Sequence, residues 1–386
     1  MTRYAAAIGL AVITACARPA ASTRPEPAPE HAHDRALKTA LAGSFLVGAA
    51  LNQNQFTEQD QRGATIVKAQ FNTITSENVL KWEQVHPRLG QYDFALPDKY
   101  VEFGERNAMF VVGHTLVWHQ QTPRWVFEDV AGAPVSRDTL LARLRDHIQT
   151  VVGRYRGRVK GWDVVNEAVD EDGTLRKTPW RSIIGEDYVV RAFEFAHEAD
   201  PAAELYYNDY SVENAPKRTG VIALIRKLQA AGVPVAAVGL QGHNKMTWPT
   251  VAQQDSTLAA FAALGVKVNI TELDIDVLPA ATGNQAPGVT PSAAPAAEVN
   301  PYVAGLPDSV QQALARRYAE LFGVYMKYRD VIERVTFWGV TDGDSWLNGW
   351  PVRGRTSYPL LFDRAGQPKP AFDAVIRMAR PAAPVP

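Results

Sequence analysis

The 386-residue chain has a single cysteine, Cys16, close to its N-terminus. One thiol excludes an internal disulfide framework and a metal site built from several thiolates. The sequence also lacks a basic block or a run of arginines, and its formal net charge is -1. Proteins that bind nucleic acid carry a cationic footprint, so no nucleic-acid partner is expected, and an uncharged substrate is more compatible with this balance.

The N-terminal region lacks an apolar run long enough to cross a membrane, which takes about 20 residues. Residues 4–13 are apolar, follow Arg3 and precede Cys16. This layout is typical of a secretory signal. Residues 1–16 resemble a bacterial lipoprotein signal, in which the cysteine becomes the lipidated first residue of the mature protein. An ordinary signal peptide that happens to contain a cysteine is the alternative.

Residues 17–35 are rich in proline and alanine, and they predict a tether rather than a folded segment. Together with Cys16, this tether predicts export across the inner membrane and a lipid anchor on a bacterial membrane, in the periplasm or at the cell surface. The anchor at Cys16 is the only membrane contact expected. A monomer is the default expectation for oligomeric state.

From residue 45 onward, short β-type runs alternate with amphipathic segments at helical spacing, which is the pattern of repeated βα units. Strands are predicted at 45–50, 71–76, 109–117, 161–165, 204–208, 237–241, 267–271 and 334–339. Helices are predicted at 140–155, 187–199, 216–231 and 309–328, among others. Eight strands of this kind predict an α/β fold, a single (β/α)8 TIM barrel over residues 36–380.

Polar residues gather where the predicted strands end, and the carboxyl ends of the strands form the active face of such a barrel. The most informative are Glu167 and Glu272, because a carboxylate that closes an apolar strand is costly to bury unless it is paired or used in chemistry. Their separation, 272 minus 167, is 105 residues, about three strand-and-helix units of roughly 35 residues. They are therefore expected on strands three apart.

The segment 279–307 interrupts this rhythm, since it is rich in Ala, Pro, Gly, Thr and Asn and has no periodic apolar face. A loop of that length in a compact domain is usually functional or disordered. It follows the strand that carries Glu272, so it is expected to hang over one side of the site. Two readings stay open, a bulge without a role and a wall of the substrate groove.

Two carboxyls in different environments can divide the roles of acid and nucleophile at one acetal carbon. Asn166 offers an amide beside Glu167, and His243 and Asp274 are candidates to hold Glu272 ionised through a hydrogen-bonded chain. The resulting hypothesis makes Glu167 the acid/base and Glu272 the nucleophile.

Six runs carry a family resemblance. They are Gly113-His-Thr-Leu-Val-Trp-His, Trp162-Asp-Val-Val-Asn-Glu-Ala, Tyr207-Asn-Asp-Tyr, Gly239-Leu-Gln-Gly-His, Ile270-Thr-Glu-Leu-Asp and Val335-Thr-Phe-Trp-Gly-Val. They resemble the signature blocks of glycoside hydrolase family ten, in that family's order. The resemblance implies an endo-1,4-β-xylanase that cleaves internal bonds of xylan and xylo-oligosaccharides by retaining double displacement, without metal or cofactor. Retaining carboxyls lie roughly 5 to 5.5 Å apart.

The resemblance also implies roles for individual residues. Glu167 is the acid/base and Glu272 the nucleophile. Glu77, Asn78 and Lys81 bind the sugar two units to the non-reducing side of the cut. The cleaved sugar is surrounded by His114, Trp118, Asn166, Gln241 and His243. Trp338 and Trp346 close the floor and side of the groove, and Tyr210 and Gln121 contact the leaving-group side.

Other residues and functions have alternative interpretations. His114 and His119 are possible metal ligands, but five positions apart on a strand their rings point to opposite faces, so no metal site is expected. Trp162 and Trp180 are interpreted as core, and His147 and His197 as solvated helix residues. The alternative functions are the same machinery acting on mixed or cellulosic β-glucans, and a non-catalytic glycan-binding surface protein.

Overall fold

The computed structural model describes residues 1–2, 36–280 and 297–379. Its strands are β1 (Leu46–Leu51), β2 (Thr73–Ser76), β3 (Phe110–Val117), β4 (Gly161–Asn166), β5 (Glu204–Asp209), β6 (Ala237–Leu240), β7 (His243–Lys245), β8 (Lys267–Asp276) and β9 (Ile332–Phe337). All of the pairings are parallel. Strands β1 to β6 pair in sequence, β6 pairs with β8, β8 with β9, and β9 with β1, which closes the barrel.

Helices cover the outside of this barrel between successive strands. They are α1 (Leu37–Ala40), α2 (Gln53–Phe56), α3 (Gln61–Gln70), α4 (Trp82–Val85), α5 (Ala95–Arg106), α6 (Arg137–Arg154), α7 (Pro179–Ile184), α8 (Tyr188–Ala199), α9 (Ala215–Ala230), α10 (Val251–Ala262), α11 (Asp308–Lys327) and α12 (Pro370–Ala379).

Local sequence explains several of the helix ends. Thr250 and Gln253 form a reciprocal capping box at the start of α10, which satisfies backbone N–H groups that the helix leaves unpaired. Ser136 accepts from the backbone of Thr139 at the start of α6. After α9, Gly232 adopts a φ of +73°, which lets the chain leave the helix without the strain that a Cβ would bring.

The predicted (β/α)8 barrel is confirmed, and Glu167 and Glu272 follow barrel strands four and seven, three apart as expected. Two predicted details are wrong. The strand that carries Glu272 does not end at residue 271, because β8 continues to Asp276 and Glu272 lies inside it. The short strand β7 is absent from the prediction. It forms because Gly242, with a φ of +77°, turns the chain so that β7 pairs with the outer half of β8.

The N-terminal end of the barrel is filled by packed side chains. Arg334 on β9 is buried there, with its guanidinium 4.9 Å from the ring of Phe110 and 4.5 Å from the ring of Tyr206. The same guanidinium donates to the Tyr206 hydroxyl at 2.8 Å. A hydrogen-bonded cation therefore closes the barrel interior at this end.

The interpretation of His147 as a solvated residue is wrong, although His197 is partly exposed. His147 on α6 is fully buried, and its ring stacks on Trp82 with centroids 3.6 Å apart. Its Nδ1 lies 3.3 Å from Nδ1 of His86. Burial lowers the pKa of His86 to about 4, and burial together with His86 holds the pKa of His147 well below its usual range.

This histidine pair predicts a loss of stability in acid. The unfolded histidines take up protons below about pH 6.5, whereas the folded pair stays neutral down to about pH 4. The free energy of unfolding should therefore fall as the pH drops through that window. Urea denaturation of the wild type and His147→Phe at several pH values measures it, with His197→Gln as the control. A pH dependence unchanged by His147→Phe would contradict the expectation.

The predicted signal at 1–16 and tether at 17–35 lie outside the described residues, except for the first two positions. Residues 281–296, the greater part of the predicted 279–307 loop, also lie outside them. Within the described ranges, no helix combines the length and the apolar character needed to cross a membrane.

Candidate active site

A groove of about 690 Å³ opens at the C-terminal ends of the barrel strands. The structure brings to this groove all of the predicted catalytic, binding and supporting residues other than Cys16. They are Glu77, Asn78, Lys81, His114, Trp118, Gln121, Asn166, Glu167, Tyr210, Gln241, His243, Glu272, Asp274, Trp338 and Trp346. His114 lines the groove and His119 does not, as their spacing predicts.

The backbone of Glu167 is held in an unusual conformation directly after β4. Its φ of +58° lies in the left-handed region that residues with a Cβ rarely occupy. Its N–H donates to the Asn208 carbonyl at 2.9 Å, and its own carbonyl accepts from Nε of Arg176 at 3.0 Å. Such conformations persist where the surroundings fix them, and they concentrate at functional sites.

The Glu167 carboxylate is 5% exposed and accepts three hydrogen bonds. Trp118 Nε1 donates to one oxygen at 2.9 Å. Gln241 Nε2 and Asn166 Nδ2 donate to the other at 3.0 and 3.1 Å. These donors are neutral, so they orient the carboxyl group without placing a cation against it.

Glu272 has a different environment. His243 Nε2 lies 3.1 Å from one of its oxygens, and Asn208 Nδ2 donates to the other at 2.8 Å. Burial alone would raise the pKa of Glu272. The hydrogen bond and charge of His243, with the charge of His114 and the hydrogen bond from Asn208, outweigh burial, and the net pKa is lowered. The pKa of His243 moves in the other direction. Burial would lower it, but Asp274 and Glu272 outweigh burial and raise it to about 10. At neutral pH, Glu272 is therefore a carboxylate beside an imidazolium.

The supporting role expected of Asp274 agrees with its position. Its Oδ1 lies 3.1 Å from His243 Nδ1, and its Oδ2 accepts from Trp346 Nε1 at 2.8 Å. Asp274 thus connects the His243 imidazolium to the indole of Trp346 on the groove wall. The chain of contacts runs Trp346, Asp274, His243, Glu272.

Asn208 is a functional residue that the sequence prediction missed, although its position at a strand end was a usable signal. Its Nδ2 donates both to Glu272 and, at 2.9 Å, to Oδ1 of Asn166, which itself donates to Glu167. Thr271 donates to Asn208 Oδ1 and fixes the amide orientation. Gly239 makes room for it, since a Cβ there would lie 2.3 Å from Asn208 Oδ1. Two amides in series, Asn208 and Asn166, therefore link the two carboxylates.

We expect His243→Gln to shift the acid limb of the pH–rate profile to higher pH. Removing the imidazolium removes the charge and hydrogen bond that lower the Glu272 pKa, so this carboxyl would remain protonated to higher pH. The profile of kcat/KM against pH measures the shift. His197→Gln is the matched control, because it removes a histidine on the outer helix α8. An unmoved acid limb in His243→Gln would contradict the assignment of Glu272 as the ionised group.

Gln121 lies close to residues predicted for the non-reducing side. Its Nε2 is 3.5 Å from Asn78 Oδ1, which also accepts from Lys81 Nζ at 3.1 Å. Gln121 reaches this cluster because its φ of +44° turns the chain after β3. Its contact with the leaving-group side stays a prediction.

Two aspartates, Asp163 and Asp209, support residues of the groove. Asp163 Oδ2 lies 2.9 Å from Nδ1 of His114, which orients that ring towards the groove. Asp209 is fully buried and lies 3.0 Å from Lys217 Nζ. That ammonium is 3.4 Å from the centre of the Tyr210 ring and holds it from beneath.

Several further groove residues are absent from the prediction. Trp350 stacks on Trp346 with ring centroids 5.0 Å apart and widens the aromatic wall. The remaining additions are Gln120, Ser211, Asn214, Asn244, Lys245, Trp248, Asp276, Ala280, Leu347, Pro351 and Arg355. Trp350 could have been predicted from the sequence, because it follows Trp346 at helical spacing in a polar loop. Trp162 and Trp180 are buried, as interpreted.

The site can perform acid–base and nucleophilic chemistry. Within the described residues, no group of three His, Cys, Asp or Glu side chains is arranged to hold a metal ion. Two buried carboxyls, one supported by neutral amides and one beside an imidazolium, face the same groove. A (β/α)8 barrel with this pair at its C-terminal face, flanked by tryptophans, defines a glycoside hydrolase.

The chain belongs to glycosyl hydrolase family 10, whose model matches residues 36–378. Endo-1,4-beta-xylanase A of Xylanibacter ruminicola is 44% identical over 342 residues, which cover 89% of this chain and 93% of the relative. Beta-1,4-xylanase of Dictyoglomus thermophilum is 41% identical over 343 residues, 88% and 90% of the two chains. The solved structure of a GH10 endoxylanase retrieved from sugarcane soil metagenome is 43% identical and superposes with a TM-score of 0.84. The match covers 90% of this chain and 100% of that one.

Proposed function

We propose that this glycoside hydrolase is an endo-1,4-β-xylanase that cleaves internal bonds of xylan by retaining double displacement. Glu167 is the acid/base and Glu272 the nucleophile. The observation that carries the proposal is the contrast between the two carboxyls: His243 and Asn208 favour the ionised form of Glu272, whereas the Glu167 carboxylate accepts hydrogen bonds from neutral donors. The relatives named as xylanases support the substrate class, as does a family mutant solved with xylotriose at 36% identity and a TM-score of 0.78.

In the first step, the Glu272 carboxylate attacks the anomeric carbon while Glu167 gives its proton to the leaving oxygen. The bond to the leaving sugar breaks as the glycosyl–Glu272 ester forms. In the second step, Glu167 takes a proton from water, and the resulting nucleophile displaces Glu272. Two inversions at one carbon give net retention. The amides of Asn166 and Gln241 keep the Glu167 oxygens oriented through both steps.

Proton NMR of a xylo-oligosaccharide digest tests the proposal directly. The β-anomer of the new reducing end should appear first and the α-anomer only as mutarotation proceeds. If the α-anomer came first, the site would be inverting and Glu272 would not be a nucleophile. Parallel rates on xylan and carboxymethylcellulose separate a xylanase from an enzyme for cellulosic β-glucans. Binding of xylan without release of reducing ends would instead indicate a glycan-binding protein.

The cellular location is a further part of the proposal. Cys16, in its signal-like context, is proposed to carry the lipid anchor, with the barrel held outside the inner membrane as a monomer. In a bacterial host, the full chain should be recovered with membranes and incorporate labelled fatty acid. Cys16→Ser should appear in the soluble fraction without label. Soluble, unlabelled wild-type protein would favour an ordinary signal peptide.

A further inference from the structure

The groove carries an exposed cation opposite the predicted non-reducing side. In the closed ring of eight strands, β6 and its continuation β7 lie across the barrel from β2. Glu77 and Asn78 follow β2, and Lys245 ends β7. If the polysaccharide binds with its non-reducing side at Glu77, as the family resemblance implies, then Lys245 lies on the leaving-group side.

Lys245 lies at the outer edge of the groove rather than on its floor. It is the register partner of Asp276 on β8, four residues beyond Glu272. At about 3.3 Å per residue, this is roughly 13 Å along the strand from the nucleophile. A group that meets Lys245 therefore projects outward from the polysaccharide backbone, as a side branch does.

Lys245 and a second cation contact the same carboxylate. Its Nζ donates to Asp276 Oδ2 at 2.8 Å, and the guanidinium of Arg355 lies 3.7 Å from the same oxygen. Asp276 Oδ1 is already used by the backbone N–H of Leu278 at 2.9 Å. Two cations thus share one carboxylate, which is itself buried.

Lys245 is also accessible. Its side chain is 48% exposed, whereas Lys81 and Arg355, the other lysine and arginine of the groove within the described ranges, are buried. An ammonium has three donors, and Asp276 takes one of them. Trp248 lines the groove beside it, and its carbonyl accepts the Lys245 backbone N–H at 2.7 Å. A groove lined by an indole and an exposed ammonium suits a sugar ring that bears a carboxylate.

We propose that Lys245 binds the carboxylate of a uronosyl branch on the leaving-group side of the cut, with Asp276 positioning the ammonium and Trp248 contacting the branch sugar. Lys245 then makes the enzyme favour acidic xylan over neutral xylan. The inference rests on the proposed function and extends it from the backbone to its decoration. The proposed backbone substrate is uncharged, so the preference for an acidic branch is a separate property.

The test compares kcat/KM on three matched xylo-oligosaccharides: a linear one, one with a single glucuronosyl branch, and the same branch with its carboxyl reduced to an alcohol. The wild type should cleave the acidic branch about two- to fivefold faster than the reduced branch, the size of one exposed charge pair. In Lys245→Gln this ratio should fall to about one, whereas Lys245→Arg should retain it. The ratio should also decline with added salt in the wild type and in Lys245→Arg, but not in Lys245→Gln.

Lys227→Gln is the matched control, because it removes an equally exposed lysine on α9 that does not line the groove. It should leave the ratio at the wild-type value. Equal wild-type rates on the acidic and reduced branches would overturn the inference, as would an unchanged ratio in Lys245→Gln. If the linear oligosaccharide were still cleaved, the proposed function would stand despite that result. No cleavage of the linear chain would overturn the proposed function and this inference with it.

Discussion

Glu272→Ala is expected to abolish turnover on every substrate, with a loss in kcat of about 10⁴-fold or more, because no other group can form the covalent intermediate. The structure makes a large effect reasonable. Glu272 is 5% exposed and is fixed from two sides by His243 and Asn208. A shortened side chain leaves the imidazolium and the amide aimed at an empty space. Initial rates on xylan and on an aryl xylobioside measure the loss.

Azide distinguishes a lost nucleophile from a distorted groove. In Glu272→Ala, azide can enter the vacated space and attack an aryl glycoside once, which inverts the carbon and gives the α-glycosyl azide. A β-glycosyl azide would mean that the covalent intermediate still forms, and it would remove Glu272 from the nucleophile role. Glu102→Ala, which changes an exposed glutamate on α5, serves as a control for nonspecific loss.

Much of the barrel could be predicted because its physical causes are local. Buried strands are short apolar runs, and polar residues at their ends mark the face that has to stay accessible. The same reasoning placed Glu167 and Glu272 on strands three apart, which the closed strand order confirms. The sequence suggested His243 as a partner of Glu272 and Asn166 as a partner of Glu167. It did not supply the hydrogen bonds from Asn208 to Glu272 and from Trp118 to Glu167, since these donors approach from other strands and loops.

The early end predicted for β8 has a specific cause. In residues 271–276, carboxylates alternate with apolar residues, so a carboxylate looks like the end of a strand. The structure shows period-two alternation instead: Leu273 and Ile275 are fully buried in the core, while Glu272, Asp274 and Asp276 line the groove. The groove supplies partners for these charges, and only tertiary structure reveals those partners.

His147 illustrates the opposite case, in which a signal was present. Leu144, Ile148 and Val151 place it on the inner face of α6 at helical spacing, yet a histidine suggests solvent. Burial succeeds because Trp82 provides a stacking surface and His86 provides a hydrogen-bonding nitrogen. Gln121 had no comparable signal, because its direction depends on the backbone turn after β3.

Glu167→Ala should separate substrates by leaving group rather than abolish all activity. The acid helps only while the leaving oxygen needs a proton, so kcat/KM on a dinitrophenyl xylobioside should stay near the wild-type value. On xylan, whose leaving group is a poor one, it should fall by about 10²- to 10⁴-fold. The second step also loses its base, so the glycosyl–Glu272 ester should accumulate and a burst of dinitrophenol should precede slow turnover.

Glu167→Ala also completes the assignment of roles through the stereochemistry of rescue. Azide would here attack the ester at Glu272, a second inversion, and release the β-glycosyl azide faster than water releases sugar. The two alanine variants should thus give azides of opposite configuration from one substrate. Trp118, Asn166 and Gln241 remain in Glu167→Ala, so a loss confined to poor leaving groups reports the missing proton rather than a collapsed groove. Equal losses for good and poor leaving groups would rule out Glu167 as the acid.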